Sequence, residues 1–208
     1  MNIRDIAGLA PVIPIITIDD AATAVPLARA LVAGGLPVIE VTLRTEAAVA
    51  AARAMIAEVP EAVIGLGTVT RRDHIAAALD IGARFLVSPG FSTEIAELAR
   101  QSKLPFLPGI MTPSELMAAL AVGLSLLKFF PAEPAGGVEM LRALHGPFPE
   151  AAFCPTGGID AAKAPSYLEL PNVVAVGGSW VAPRTAVIAK DWQKITALAR
   201  AARELRKR

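Results

Sequence analysis

Ala33-Gly-Gly-Leu-Pro-Val-Ile-Glu-Val-Thr-Leu-Arg-Thr45 joins the end of an Ala/Leu-rich helical stretch to a β-branched run, with only a glycine pair, Leu36 and a proline between them. The same frame returns in Gly82-Ala-Arg-Phe-Leu-Val-Ser88 and in Gly123-Leu-Ser-Leu-Leu-Lys-Phe129. In each, a glycine closes a helix and a strand follows at once. Outward from these three segments the alternation continues to both ends of the chain. Strands are predicted over residues 12–18, 37–43, 63–68, 84–88, 105–107, 126–130, 152–155 and 173–176. Helices are predicted over 21–33, 46–58, 72–81, 93–101, 113–122, 138–144, 160–168 and 191–205, several opened by Asp or Thr as N-caps. Eight strand-helix units without a long linker or a shift in composition predict one domain, residues 1–208, of the α/β class. Its architecture is a parallel sheet closed into a (β/α)8 TIM barrel behind a short N-terminal helix. An open doubly wound sheet is the alternative.

Composition narrows the partners. With 54% hydrophobic and 19% charged residues and a formal net charge of +1, the chain is neither a disordered segment nor a bulk polyanion binder, so no nucleic acid partner is expected. One cysteine, Cys154, excludes an internal disulfide, and His74 and His145 add too few soft ligands for a structural zinc site, so no metal is expected. The cytoplasm is the expected setting. The longest uncharged apolar stretches, 6–18 and 116–127, fall short of the roughly 18 residues of a spanning helix. Arg4, the following apolar run and the small residues 21–24 imitate a secretory signal, but Asp5 spoils its basic start and the run reads better as a strand. A mean hydropathy of +0.52 implies apolar surface that meets a partner subunit.

Alternation along residues 37–43 puts Val38, Glu40, Thr42 and Arg44 on one face and Ile39, Val41 and Leu43 on the other. The aliphatic face suits the helices, which leaves Glu40 inside and Arg44 at the rim. Their bland reading is an ion pair that supports the barrel mouth. Lys128, in Leu126-Leu-Lys-Phe-Phe-Pro131, is flanked by apolar side chains that disfavour its ammonium form. A neutral amine attacks a carbonyl and holds the product as a Schiff base, an electron sink for cleaving an adjacent carbon-carbon bond; snorkelling into solvent is the commoner fate of a lysine. Thr156-Gly-Gly158 and Gly177-Gly-Ser179 follow the seventh and eighth expected strands, where such barrels bind phosphate, although a Gly-Gly is by itself more often a tight turn. Gly65-Leu-Gly-Thr68 and Ser88-Pro89-Gly90 close the third and fourth strands, so the distinctive residues converge on one mouth. His74 and His145 fall on helices as surface residues, and Cys154 reads as a small core residue.

These motifs together resemble the bacterial 2-keto-3-deoxy-6-phosphogluconate aldolases, which often also cleave 4-hydroxy-2-oxoglutarate. The resemblance covers nearly the whole chain. It is carried by residues 33–45, Gly67-Thr-Val69, Ser88-Pro-Gly90, Pro108-Gly-Ile110, Lys128-Phe-Phe-Pro-Ala-Glu133, Phe153-Cys-Pro-Thr-Gly-Gly-Ile159 and Gly177-Gly-Ser-Trp180. It implies that Lys128 forms the Schiff base, that Glu40 is the general acid/base, and that Arg44 and Thr68 hold the keto-acid end. Gly157, Gly158, Gly178 and Ser179 would take the phosphate, with Pro89 and Thr156 among the substrate-binding residues. A homotrimer without metal or organic cofactor, acting on a phosphorylated keto acid and releasing pyruvate, is likewise implied. Leu66 departs from the smaller residue usual in relatives, which bears on packing beneath Thr68. Two other classes stay open from the residues: a phosphate-binding barrel that isomerises or decarboxylates with a lysine as cation, and a non-catalytic binding barrel. A charge-stabilising lysine normally has an acidic neighbour in its own motif, and Phe129 and Phe130 are not that.

Overall fold

The computed structural model describes residues 1–205; the last three residues of the expected domain lie outside the described residues. Strands β1 (Val12–Ile16), β2 (Val38–Thr42), β3 (Val63–Gly67), β4 (Phe85–Val87), β5 (Phe106–Leu107), β6 (Gly109–Ile110), β7 (Leu126–Phe129), β8 (Ala152–Pro155) and β9 (Val176–Gly178) alternate with helices. The helices are α1 (Ile3–Ala7), α2 (Ala24–Ala33), α3 (Ala48–Glu58), α4 (Arg72–Ile81), α5 (Thr93–Ser102), α6 (Pro113–Ala121), α7 (Gly137–His145), α8 (Ala164–Leu168), α9 (Arg184–Ile188) and α10 (Trp192–Arg203). The recurring glycines do what the frame requires: Gly35, Gly82 and Gly123 have φ of 89°, 76° and 82°, left-handed turns that let a strand leave directly from a helix end.

Every strand pairing is parallel. The strands fall into a six-stranded sheet, ordered β5-β4-β3-β2-β1-β9, and a three-stranded sheet, β6-β7-β8. Placing the last strand beside the first curls the sheet, and the order lacks the reversal of a doubly wound sheet, in which the first strand sits between two inner strands. The fifth expected strand, 105–107, appears as β5, and an unexpected short strand, β6, follows Pro108, whose ring removes a ladder donor while its carbonyl accepts the Lys128 N–H at 2.8 Å. Isolated bridges Phe153↔Val173 and Thr156↔Gly177 link β8 to the approach and the body of β9.

Two apolar cores separate inside from outside. Ile39, Val41, Ile64, Leu66, Leu86, Leu127 and Phe129 pack outward against the helices. Ile13, Val38, Phe85, Val87, Leu107, Leu126 and Cys154 form a second core within the curl, and α1 closes it from below with Ile3, Ile6 and Ala7. Leu66 is therefore an outer-face residue bearing on helix packing, which corrects its expected place beneath Thr68.

Several elements depart from expectation. The Asp160 side chain accepts the N–H groups of Ala162 and Lys163, holding a turn that delays the expected 160–168 helix until Ala164, just before Pro165. The eighth expected strand, 173–176, shifts to Val176–Gly178, so Gly177 and Gly178 belong to β9 and not to the loop after it. Helix α9 was not expected.

Candidate active site

Two strands supply the centre. On β2, Val38 enters the inner core and Glu40, two residues on, faces the same way at 3% exposure, while Ile39 and Val41 turn to the helices. On β7, Leu126 and Lys128 repeat the pattern, with Lys128 at 5% exposure. The Lys128 Nζ lies 3.1 Å from Glu40 Oε1 and 3.4 Å from Oε2. It also sits 5.4 Å from the centre of the Phe130 ring. The apolar flanks expected of Lys128 are thus half of its surroundings, and its acidic neighbour arrives from a strand 88 residues away. The local absence of an acid said nothing about the folded site.

Glycines make room for this pair. A Cβ on Gly67 would stand 2.2 Å from Glu40 Oε1, and one on Gly65 would stand 2.4 Å from the Phe85 ring. Gly109, level with Lys128 in the ladder, lets the Pro89 carbonyl approach to where a Cβ would meet it at 2.3 Å. Cys154 is also level with Lys128. Burial pushes its thiol up to about 12, a small core residue and not a nucleophile.

Chemically, the pair sets an amine nucleophile and a carboxyl group within hydrogen-bond reach of each other and out of water, the two partners that imine formation needs.

The remaining expected residues are distributed around the mouth. Thr68 ends β3 half-buried with φ of 64°, a left-handed conformation unusual for a β-branched residue. His74, expected as a plain surface residue, braces the turn that follows: its Nδ1 accepts the Thr70 N–H at 3.2 Å. Burial, then Arg71, lowers its pKa below the usual histidine range. Arg44 stands in the bend after β2, exposed, without a side-chain partner among the described residues. The Glu40-Arg44 support pair of the bland reading does not form, because the strand ends at Thr42 and the alternation ends with it. Thr156 lies one layer above Cys154, its Oγ1 3.4 Å from the Cys154 carbonyl and against the bare Cα of Gly177. Gly157 and Gly158 turn with φ of 103° and 80°. Gly178 is buried beneath the Trp180 ring, and Ser179 is exposed. Ser179 lines a cavity of about 660 Å³ with Ile15, Thr17, Asp19, Trp180 and Arg184. Neither Lys128 nor Glu40 lines that cavity. Among the described residues no group of three or more His, Cys, Asp and Glu could hold a metal ion.

Sequence reasoning quoted Glu133 in a motif but assigned it no role. In the fold its carboxylate accepts from Lys163 Nζ at 2.6 Å and from the Tyr167 hydroxyl, beside the Gly157–Gly158 turn. A carboxylate closing an apolar run was the available signal.

The family model described as "KDPG and KHG aldolase" matches residues 3–198. The KHG/KDPG aldolase of Escherichia coli (strain K12) is 50% identical over 93% of this chain and 91% of the relative. The KDPG aldolase structure from Legionella pneumophila, with pyruvate captured as a covalent carbinolamine, superposes with a TM-score of 0.94 at 44% identity, covering 96% of this chain and 97% of that one. The Zymomonas mobilis ZM4 2-keto-3-deoxy-6-phosphogluconate aldolase with 3-phosphoglycerate gives 0.93 at 44% identity, over 98% and 95%. The chain belongs to the KDPG and KHG aldolase family.

Proposed function

We propose that this protein is a Schiff-base aldolase that cleaves 2-keto-3-deoxy-6-phosphogluconate to pyruvate and glyceraldehyde 3-phosphate, and 4-hydroxy-2-oxoglutarate to pyruvate and glyoxylate. The observation that carries the mechanism is the buried contact of 3.1 Å between Lys128 Nζ and Glu40. Lys128 passes a proton to Glu40 and attacks the ketone carbon, giving a carbinolamine. Glu40 returns the proton to the departing hydroxyl, and water leaves as the iminium forms. Glu40, again a base, then removes the proton of the C4 hydroxyl. The C3–C4 electron pair flows into the iminium, releasing the aldehyde and leaving an enamine. Protonation of that enamine at C3 and addition of water free pyruvate and restore the amine.

Arg44, unpaired at the rim, suits bidentate pairing with the substrate carboxylate, and with Thr68 it fixes which carbonyl meets Lys128. The left-handed turn at Gly157 and Gly158, with Gly178, Ser179 and Thr156 nearby, offers backbone N–H groups to the phosphate, while Pro89 packs beside the Lys128 layer. The carbinolamine of the Legionella relative and the 3-phosphoglycerate of the Zymomonas relative support both ends of this reading.

As architecture we favour one closed (β/α)8 barrel domain: the pieces flanking Pro108 count as one strand, and the two isolated bridges support closure between β8 and β9. A homotrimer is supported by exposed Met111, Met117 and Val122 near α6. Sedimentation tests it. A cytoplasmic setting is supported by the lone, buried Cys154, and no described helix is long and apolar enough to cross a membrane.

Borohydride reduction in the presence of pyruvate tests the chemistry: it adds the reduced pyruvyl group to Lys128. Protein that turns substrate over while remaining unlabelled refutes the Schiff base.

A further inference from the structure

We propose that Glu133 is the positioning residue of the Gly157–Gly158 turn, and that the Glu133-Lys163-Tyr167 cluster sets the preference for phosphorylated over unphosphorylated keto acid. The inference rests on the reading of that turn as the phosphate site.

Glu133 lies in the turn that leaves β7, five residues after Lys128, and reaches the β8 turn through backbone and side chain together. Its N–H donates to the Gly157 carbonyl at 3.1 Å, next to the Ala132 N–H on the Thr156 carbonyl at 2.7 Å. Its side-chain stem lies so near Gly158 that a Cβ there would stand 2.8 Å from Glu133 Cβ and Cγ. Both carboxylate oxygens are engaged, Oε2 by Lys163 and Oε1 by Tyr167. Lys163 Nζ, so held, also donates to the Gly158 carbonyl at 3.3 Å.

The two carbonyls of the turn are therefore pinned on the Glu133 side. In a trans peptide the N–H points opposite to the carbonyl of the same unit, so the Gly158 and Ile159 N–H groups are aimed away from Glu133. Among the described residues neither has a protein acceptor. Two successive free N–H groups in a left-handed turn form a concavity for an anion. An ionised carboxylate suits the arrangement, because each of its two oxygens accepts from one donor. Lys163 and Tyr167 hold Glu133 below the usual carboxylate range.

The test uses Glu133→Gln and Tyr167→Phe. In Glu133→Gln one of the two oxygens becomes an NH2 group, which cannot accept from the donor it faces, and the phenylalanine removes one donor outright. The expected result is that KM for the phosphorylated substrate rises about tenfold, the loss of one charge-assisted hydrogen bond, and that inorganic phosphate binding followed by 31P NMR titration weakens equally. KM for 4-hydroxy-2-oxoglutarate and the yield of borohydride-trapped pyruvate stay within about twofold. Equal losses on both substrates, or unchanged phosphate affinity, overturn the proposal. Should Glu133→Gln fail to fold, Tyr167→Phe, lacking a single oxygen, decides by the same criteria. Unmodified protein that binds phosphate yet cleaves neither keto acid would sink the aldolase reading, while the phosphate titration of the variants still judges this one.

Discussion

Gly67→Ala isolates the position of the Glu40 carboxylate. The added methyl would lie 2.2 Å from Oε1, 2.6 Å from Cγ and 2.7 Å from Cδ, against the 3.0 Å below which real Cβ atoms essentially never come. The oxygen must retreat by about 0.8 Å, close to the misplacement of about 1 Å that can cost 10²-fold in rate. That same oxygen is 3.1 Å from Lys128 Nζ, so it cannot move without disturbing the proton exchange. Gly65→Ala is the control, since its methyl meets the Phe85 ring at 2.4 Å, an equal crowding directed at the apolar core. Each change overpacks the interior by about 1–3 kcal/mol, a fall in Tm of roughly 2–12 °C for a chain of this size. Pyruvate release in a coupled assay should fall by about 30–100-fold in Gly67→Ala and by less than about threefold in Gly65→Ala. Equal kcat losses in the two variants, or unchanged kcat in Gly67→Ala, would refute the reasoning.

Other expectations follow from the same centre. Lys128→Ala abolishes turnover and pyruvate trapping, and leaves a buried carboxylate unpaired at a cost of about 3–5 kcal/mol, readable by urea denaturation. Glu40→Gln lowers kcat by about 10²–10⁴-fold while imine formation with pyruvate partly survives in single-turnover trapping. Arg44→Ala raises KM for both keto acids more than it lowers kcat, measured by steady-state kinetics with each substrate. Cys154 carries a pH signature: burial raises its thiol from an ordinary 9.0 to about 12 in the native state. Between those values the unfolded chain has lost a proton that the folded chain keeps, so stability falls as pH rises, by up to about 1.4 kcal/mol per pH unit. Cys154→Ala should flatten that alkaline decline in Tm, and an unchanged slope would show that the thiol contributes nothing.

Short-range regularities were legible in the sequence, and pairings between strands were not. The alternation along Val38–Thr42 correctly sent Glu40 inward, because a strand's period of two leaves no other choice once the aliphatic face is assigned. The alternation stops with the strand at Thr42, so Arg44 stands exposed at the rim and makes no pair with Glu40. Lys128 was conspicuous for its apolar flanks, yet its partner comes from β2, and no local pattern encodes that contact. Gly177 and Gly178 read as a turn because glycine pairs usually are one. Here flat strand is needed so that Thr156 and Trp180 can close over it. The short strand β6 beyond Pro108 was not legible, because it pairs with β7 while β5 pairs with β4, a division of partners that no local pattern encodes.

The N-terminal helix gives the lumen a floor. With Ile3, Ile6 and Ala7 stopping it from below, the approach to Lys128 is from the rim. On the proposed mechanism, pyruvate is anchored through Lys128 at the back while the aldehyde fragment stands in the doorway. Departure therefore has a fixed queue, aldehyde first and keto acid second, and in the synthetic direction the three-carbon acid has to be seated before the acceptor walks in.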